Sequence, residues 1–183
     1  MILFDAPGKE NTKKVIEIAL KVSWEKNIND IVFPSASGYT ASFFEDVKDK
    51  NLVCVTHVNG FAKKGENEMP LEVREKLINK GIKVLTTTHV LSGAERGLSR
   101  KFGGIYPVEI VANTLRMFGQ GTKVAVEIAI MALDAGLIPY GKPVISLGGT
   151  EEGVDTSLIL YPSHASSLFE TKIVEILCKP ANL

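Results

Sequence analysis

The feature that most constrains the fold is an alternation of short β-branched runs with longer amphipathic segments. Residues 30–34 (DIVFP) and 52–56 (LVCVT) are continuous apolar runs, the pattern of parallel strands that are covered on both faces. Residues 12–27 instead repeat apolar side chains at helical spacing, with Val15 and Val22 on one side and charged residues opposite. Strands that alternate with helices predict an α/β layer fold.

The rest of the chain continues this alternation. Further strands are predicted at residues 2–4, 83–87, 143–149, 155–162 and 172–180, with antiparallel pairing near the C-terminus. Helices are predicted over 38–48, from Pro70 to just before Gly81, from Pro107 with an apolar stripe, and over 122–136, where an almost wholly apolar helix ends at Gly136. Residues 88–104 show no clean period and predict a long loop with one or two helical turns.

Composition limits the number of domains and the class of partner. With 183 residues that are 45% hydrophobic, we expect a single domain over 1–183. Lys plus Arg equals Asp plus Glu at 21 each, so a nucleic-acid partner is not expected. The longest apolar stretches are interrupted, and the N-terminus lacks a leader pattern, so we expect a cytoplasmic protein without a membrane partner. The apolar fraction is high for this length, which favours a homo-oligomer.

The two cysteines, Cys54 and Cys178, lie inside strand-like runs and lack zinc or redox spacing. We therefore expect core thiols and no metal site.

Polar residues concentrate in four loops that follow predicted strands, at residues 35–40, 56–60, 87–93 and 148–156. Ligands of open α/β sheets bind outside the carboxyl ends of the strands, where the strand order reverses. His57 and His89 each follow a Thr just past a strand end. This convergence predicts a small-molecule pocket.

The loop at residues 35–40 (SASGYT) is the richest of the four in hydroxyl groups. It precedes a predicted helix, whose N-terminal N–H groups favour a phosphate, and Ser35, Ser37 and Thr40 add hydroxyl donors beside Gly38. The alternative is that Ser37 is only a helix cap and the other hydroxyls are incidental.

The segment DIVFPSASGYTASFF resembles the strand, Ser-Gly-x-Thr-Ala loop and helix of the pyruvate kinase C-terminal domain. The whole chain is more similar still to a stand-alone, largely archaeal group that has this domain without the catalytic barrel. The segments that carry this similarity are PGKENT, GENEMP, HVLSGAERGLSRKFGG, VEIAIMALDAG and GVDTSLILYP.

The resemblance implies a three-layer α/β/α sandwich with a mostly parallel sheet of order 3-2-1-4-5, the last strand antiparallel. Loops 35–40 and 148–156 would then face each other across the pocket. Members of the stand-alone group look like flavin mononucleotide (FMN) binders. By residue matching, Ser35, Ser37, Gly38 and Thr40 would take the phosphate, and the opposite side would be lined by Gly148, Gly149, Thr150, Asp155 and Thr156. The loop positions add further candidates for the cofactor site: Ala36, Tyr39, Thr56, His57, Thr88 and His89.

Two differences from pyruvate kinases limit the ligand and the activity that the resemblance implies. Pyruvate kinases often carry Arg where this loop has Tyr39, which disfavours a sugar bisphosphate and allows an aromatic contact with a ligand ring. A chain of 183 residues also has no room for the catalytic barrel, so pyruvate kinase activity is not expected.

The remaining polar residues allow several interpretations. His57 and His89 are candidates to polarise a flavin carbonyl or to act as acid and base, and the alternative is that they are simple ligand contacts or lie in solvent. Arg96 and Arg100 would hold a phosphate or form a salt bridge with Glu95 or a neighbouring subunit, and the salt bridge is favoured. Lys123, Glu127 and Asp134 share one helix face and predict a narrow solvated stripe, and His164 is expected at the edge of the pocket.

Two functions follow from these patterns. One is a flavin- or phospho-ligand-binding protein with little chemistry of its own, such as a sensor. The other is a flavin-dependent oxidoreductase that uses the loop histidines. The segment GQGTK follows a helix, not a strand, and so fails the context required of a dinucleotide-binding loop.

Overall fold

The computed structural model describes residues 1–182, and a seven-stranded mixed sheet runs through them. The strands are β1 (Ile2–Phe4), β2 (Asp30–Pro34), β3 (Asn51–Val55), β4 (Lys83–Leu85), β5 (Val144–Gly148), β6 (Thr156–Tyr161) and β7 (Lys172–Pro180). They lie in the order β1-β7-β6-β5-β2-β3-β4. Strands β6 and β7 are antiparallel to each other, β6 is antiparallel to β5, and the other neighbouring pairs are parallel.

The predicted strand order is confirmed. The run β4-β3-β2-β5-β6 has the order 3-2-1-4-5, and its last strand is antiparallel. The sheet continues beyond it through β7 and β1, which the five-strand order did not include. Because β2 lies between β3 and β5, the switch in strand order falls at β2 and β5, as predicted.

Helices cover both faces of the sheet and confirm the three-layer α/β/α sandwich. The helices are α1 (Thr12–Glu25), α2 (Tyr39–Ser42), α3 (Leu71–Asn79), α4 (Gly93–Phe102), α5 (Pro107–Arg116) and α6 (Gln120–Asp134), with short 3₁₀ turns at Lys9–Asn11 and Ala165–Glu170. Helices α1, α2 and α3 contribute to the core on one face, while α6 packs on the other face with α5 against it.

Strand alternation divides the core between the two faces. In β2, Ile31 and Phe33 point to the face of α1, whereas Val32 points to the face of α6. Most residues of α6 are buried, which confirms that it is the most deeply buried helix. Cys54 and Cys178 are buried free thiols, as predicted.

Two local predictions are wrong. Residues 88–104 contain a ten-residue helix, α4, and not a loop with isolated turns. Helix α4 has no buried residue. Its apolar residues Ala94, Leu98 and Phe102 recur every fourth position but are exposed, and they stand among Gly, Ser and Arg residues, so the sequence pattern did not predict a helix. The helix predicted over 38–48 is only α2, because the chain turns after Ser42 to stack Phe44 on Phe33, with ring centroids 4.1 Å apart.

Among residues 1–182, no helix has the length and apolar content needed to cross a membrane. Helices α4 and α5 leave the large apolar side chains of Phe102 and Ile110 exposed, and Met117 and Phe118, just after α5, are also exposed. The homo-oligomer expected from composition stays a prediction.

Candidate functional site

The carboxyl ends of β2, β3 and β5 meet at one edge of the sheet and surround a cavity of about 330 Å³. We call it the first cavity. Of the residues predicted from the sequence, it brings together loop residues 35–37 and 39–40 with His57, Gly149 and Thr150. Its volume is at the lower end of the range that is typical of small-molecule sites.

The loop at 35–40 is shaped by its own hydrogen bonds and by one glycine. The hydroxyl of Ser35 accepts a hydrogen bond from the Ala41 N–H at 3.3 Å. Gly38 has a φ of 101°, and a Cβ at this position would lie 2.5 Å from Cγ1 of Val73. Glycine is therefore required by backbone conformation and by packing on α3, and Gly38 lies behind the cavity wall, outside its lining.

Several donors in this loop have no protein acceptor. Within residues 1–182, the N–H groups of Ala36, Ser37 and Gly38 and the hydroxyl of Thr40 form no hydrogen bond. Of these donors, those of Ala36, Ser37 and Thr40 belong to residues that line the first cavity, and Gly38 lies outside its wall. Unpaired donors at a cavity wall are the kind of donor set that a phosphate requires.

The opposite wall is acidic. The loop from Gly149 to Gly153 faces the 35–40 loop, as predicted, and the Ser37 hydroxyl lies 3.4 Å from Oε1 of Glu152. Glu152 also forms a salt bridge with Lys9 at 3.2 Å, and both side chains are about half exposed. The Ser37 hydroxyl therefore has a weak carboxylate partner that an incoming anion would replace.

Gly148, Asp155 and Thr156 were matched to the pocket wall, but they lie beneath it, buried and outside its lining. Asp155 accepts hydrogen bonds from the hydroxyls of Thr150 and Thr156, each at 2.8 Å, and from the Gly8 N–H at 3.3 Å. These bonds use both carboxylate oxygens. Asp155 thus anchors the 149–153 loop from below, because its side chain points to neighbouring backbone and hydroxyl groups.

A second cavity, of about 190 Å³, adjoins the first on the side of β3. His57, Pro34, Val55, Gln120 and Val124 line both cavities. The predicted residues Thr56 and His89 line only the second of these two. Thr88 is exposed and lines a neighbouring depression together with His89.

The two loop histidines belong to an aromatic cluster that the sequence did not predict. Phe61 stacks on His57 with ring centroids 3.9 Å apart, and the His57 and His89 rings lie 5.7 Å apart. His57 is held by Glu68, whose Oε2 lies 2.7 Å from Nδ1 of the imidazole. Phe61 lies in a stretch without periodicity, and Glu68 lies within the GENEMP segment, but neither residue was among the predicted site residues.

The predicted solvated stripe on α6 is wrong for two of its three members. Lys123 and Glu127 are buried and form an ion pair beside the second cavity. Glu127 also accepts a hydrogen bond from the Leu91 N–H at 2.8 Å. Burial lowers the pKa of Lys123, and the Glu127 carboxylate opposes this shift. A charged pair one helical turn apart resembles a surface pair in sequence, and only tertiary packing buries it.

Arg96 and Arg100 are both on α4, and the predicted salt bridge with Glu95 is not formed within residues 1–182. Glu95 instead accepts a hydrogen bond from the Val108 N–H at 2.9 Å. Arg96 lines the second cavity, whereas Arg100 lies outside it and is exposed.

His164 is far from both cavities, which corrects its predicted position. Its Nδ1 lies 2.7 Å from Oδ1 of Asp134, the last residue of α6, whereas the cavities are lined by the N-terminal half of α6, up to Ile128. In the part of the chain that the structure describes, no cluster of three or more His, Cys, Asp or Glu side chains could hold a metal ion.

The sequence also matches a known family, described as the pyruvate kinase alpha/beta domain, over residues 13–160. The matched region contains the five strands of the 3-2-1-4-5 order, except the last residue of β6, and the loops that line both cavities. Since the match covers most of the 183 residues, the chain belongs to the pyruvate kinase alpha/beta domain family.

Proposed function

We propose that this protein binds a phosphate-bearing small molecule, most specifically FMN, with the phosphate in the 35–40 loop. The observation that carries the proposal is the set of unpaired donors in the loop residues that line the first cavity: the N–H groups of Ala36 and Ser37 and the Thr40 hydroxyl. Tyr39, in the same loop, and the His57–Phe61 stack supply aromatic faces for a ring. When bound, FMN would supply redox chemistry.

The Glu152 carboxylate in the opposite wall disfavours an anionic ligand, so removing its charge tests whether the bound ligand carries a phosphate. Glu152 lies close to the Ser37 hydroxyl and Lys9 partly neutralises its charge. A phosphate in the loop would take over the Ser37 hydroxyl and meet the Glu152 carboxylate as a like charge. Glu152→Gln is therefore expected to tighten FMN binding and to leave riboflavin binding unchanged.

The direct test compares FMN with riboflavin, which differs from FMN by the phosphate alone. Fluorescence titration should show tighter binding of FMN. Ser37→Ala should weaken FMN binding by about tenfold or more, since a hydrogen bond to a charged group contributes about 1.5–3 kcal/mol, and should leave riboflavin binding unchanged.

The matched control is Ser42→Ala, because the Ser42 hydroxyl donates to the Tyr39 carbonyl outside the cavity. Equal affinity for the two flavins, or the same loss of FMN binding in both variants, would exclude the phosphate loop.

A sensor that binds ligand without turnover is the simplest form of this proposal. The aromatic cluster favours one second candidate, a flavin-dependent oxidoreductase, because His57 lines both cavities and lies beside His89. Reduced FMN bound to the protein is mixed with candidate electron acceptors, and reoxidation is followed by absorbance. Reoxidation that His57→Ala or His89→Ala abolishes favours the enzyme, and binding without such turnover favours the sensor.

A further inference from the structure

The second cavity has an excess of cationic side chains. Arg96, Arg116 and Lys123 line it, and Glu127 is the carboxylate that lines it with them. Lys123 and Glu127 already pair with each other. The two guanidinium groups are therefore left without a carboxylate in the wall of this cavity.

The two arginines differ in how they are held. Arg116 is fixed by hydrogen bonds from its Nε to Gln120 at 2.7 Å and from its NH1 to Asn113 at 2.9 Å. Arg96 is half-buried, and within residues 1–182 its guanidinium has neither a hydrogen-bond acceptor nor a salt-bridge partner. A half-buried guanidinium that faces a cavity without an acceptor is suited to an oxyanion, which it binds through two parallel hydrogen bonds.

Further groups in the lining fit the same ligand. His89 lies at this wall and the Ser92 hydroxyl, also in the lining, adds a neutral donor. The volume of about 190 Å³ is smaller than a typical site for a drug-sized molecule, so the occupant is small.

We propose that the second cavity is a binding site for a small oxyanion, a carboxylate or phosphate group, with Arg96 as its main ligand-binding residue. The site is next to the first cavity and shares His57 and Gln120 with it, so two ligands would lie side by side. The 35–40 loop does not line the second cavity. The proposal therefore stands whether or not the first cavity binds FMN.

Two of the three histidines allow binding to the second cavity to be measured locally. His89 lines the second cavity, and His164 lies at the far end of α6 and acts as an internal reference. Flavin-free protein is titrated with sodium phosphate and, separately, with sodium oxalate, each against sodium chloride at matched ionic strength. Imidazole NMR signals are followed; those of His89 should move with saturation and those of His164 should not.

Arg96→Gln is the test variant and Arg100→Gln is its matched control. Arg100 lies one turn away on α4; it lines the neighbouring depression with Arg96 and His89 but not the second cavity. We expect Arg96→Gln to raise the half-saturating concentration about tenfold or more, as charge-assisted hydrogen bonds are lost. Arg100→Gln should have little effect. Arg96→Lys, which keeps the charge but lacks the planar fork, should fall between them and serves if Arg96→Gln does not fold.

Two results would overturn the proposal. One is a His89 response to chloride equal to the responses to phosphate and oxalate. The other is a response that Ser37→Ala removes and Arg96→Gln retains, since this would assign the anion to the 35–40 loop. Saturation by phosphate alone, or by oxalate alone, would support the site and identify the oxyanion that it accepts. The FMN proposal depends on Ser37, so the two proposals can fail independently.

Discussion

The imidazole of His89 is half-buried among groups of both charges. Desolvation lowers its pKa below the ordinary value of 6.5. The Glu127 carboxylate opposes this shift, while His57, Lys123 and Arg96 add to it. His89 is therefore neutral at neutral pH, and either of its ring nitrogens is available to a ligand in the second cavity.

A pH titration of the histidine NMR signals tests this environment. The His89 midpoint should lie below 6.5, and Arg96→Gln should raise it because a nearby positive charge is removed. Arg100→Gln should leave it unchanged. A midpoint above 6.5, or equal shifts in both variants, would contradict the assigned surroundings.

The lowered pKa of His89 in the folded protein also makes the stability of the protein depend on pH. Since the pKa of His89 is depressed in the folded state, the unfolded chain binds more protons as the pH falls below about 6.5. The contribution of His89 to stability is thus present above that pH and lost as the pH falls through the folded-state pKa. Urea unfolding at neutral and acidic pH should show a smaller loss of stability on acidification in His89→Asn than in the unmodified protein.

At the scale of elements, the contact between β5 and α6 positions both cavities. A Cβ at Gly148 would overlap the backbone carbonyl of Gly121, and a Cβ at Gly121 would lie 2.6 Å from Cβ of Thr156. These two glycines allow the first turn of α6 to lie directly on the end of β5. That turn carries Gln120 and Lys123, which line the second cavity.

Gly148→Ala should destabilise the protein by about 1–3 kcal/mol, because the methyl group meets backbone that cannot move aside as a side chain could. Gly97→Ala in α4 is the matched control. Nothing lies within 4 Å of its added Cβ, so helix propensity should stabilise this variant by about 0.5–1 kcal/mol. Urea unfolding followed by circular dichroism measures both, and equal changes in the two variants would contradict the close contact.

Separation along the chain explains which features the sequence could predict and which it could not. Strands such as β2 and β3 were predictable because a buried strand leaves a continuous apolar run. The 35–40 loop could be predicted as a ligand-binding loop because its hydroxyl-bearing residues and Gly38 are adjacent in the sequence. Lys123 and Glu127 were assigned to solvent because their burial depends on residues that are distant in the chain. Glu127 accepts a hydrogen bond from the Leu91 N–H, and Arg96 and Arg116 line the second cavity with both residues.

The two buried thiols lie in different parts of the molecule, one in the matched family region and one in the C-terminal strand. Cys54 lies in β3, within residues 13–160, and Cys178 lies in β7, beyond them. Both belong to the same hydrophobic core cluster on the α1 face of the sheet. If residues 1–182 form one domain, the thiols in β7 and β3 should become accessible to a labelling reagent at the same urea concentration.

Thiol labelling along a urea series tests whether the protein is one cooperative unit. Burial raises the pKa of Cys54 and of Cys178 to about 12, and the thiolate is the reactive form, so neither should react with iodoacetamide in the native protein. Mass spectrometry of the two peptides should show both labelled at one urea midpoint, which coincides with the circular dichroism midpoint. The fully unfolded chain gives the maximum signal for each peptide. Labelling of Cys178 at a lower urea concentration would mean that β7 opens separately from the five-strand core. It would contradict the single domain, because β7 would then be an independently unfolding edge of the sheet.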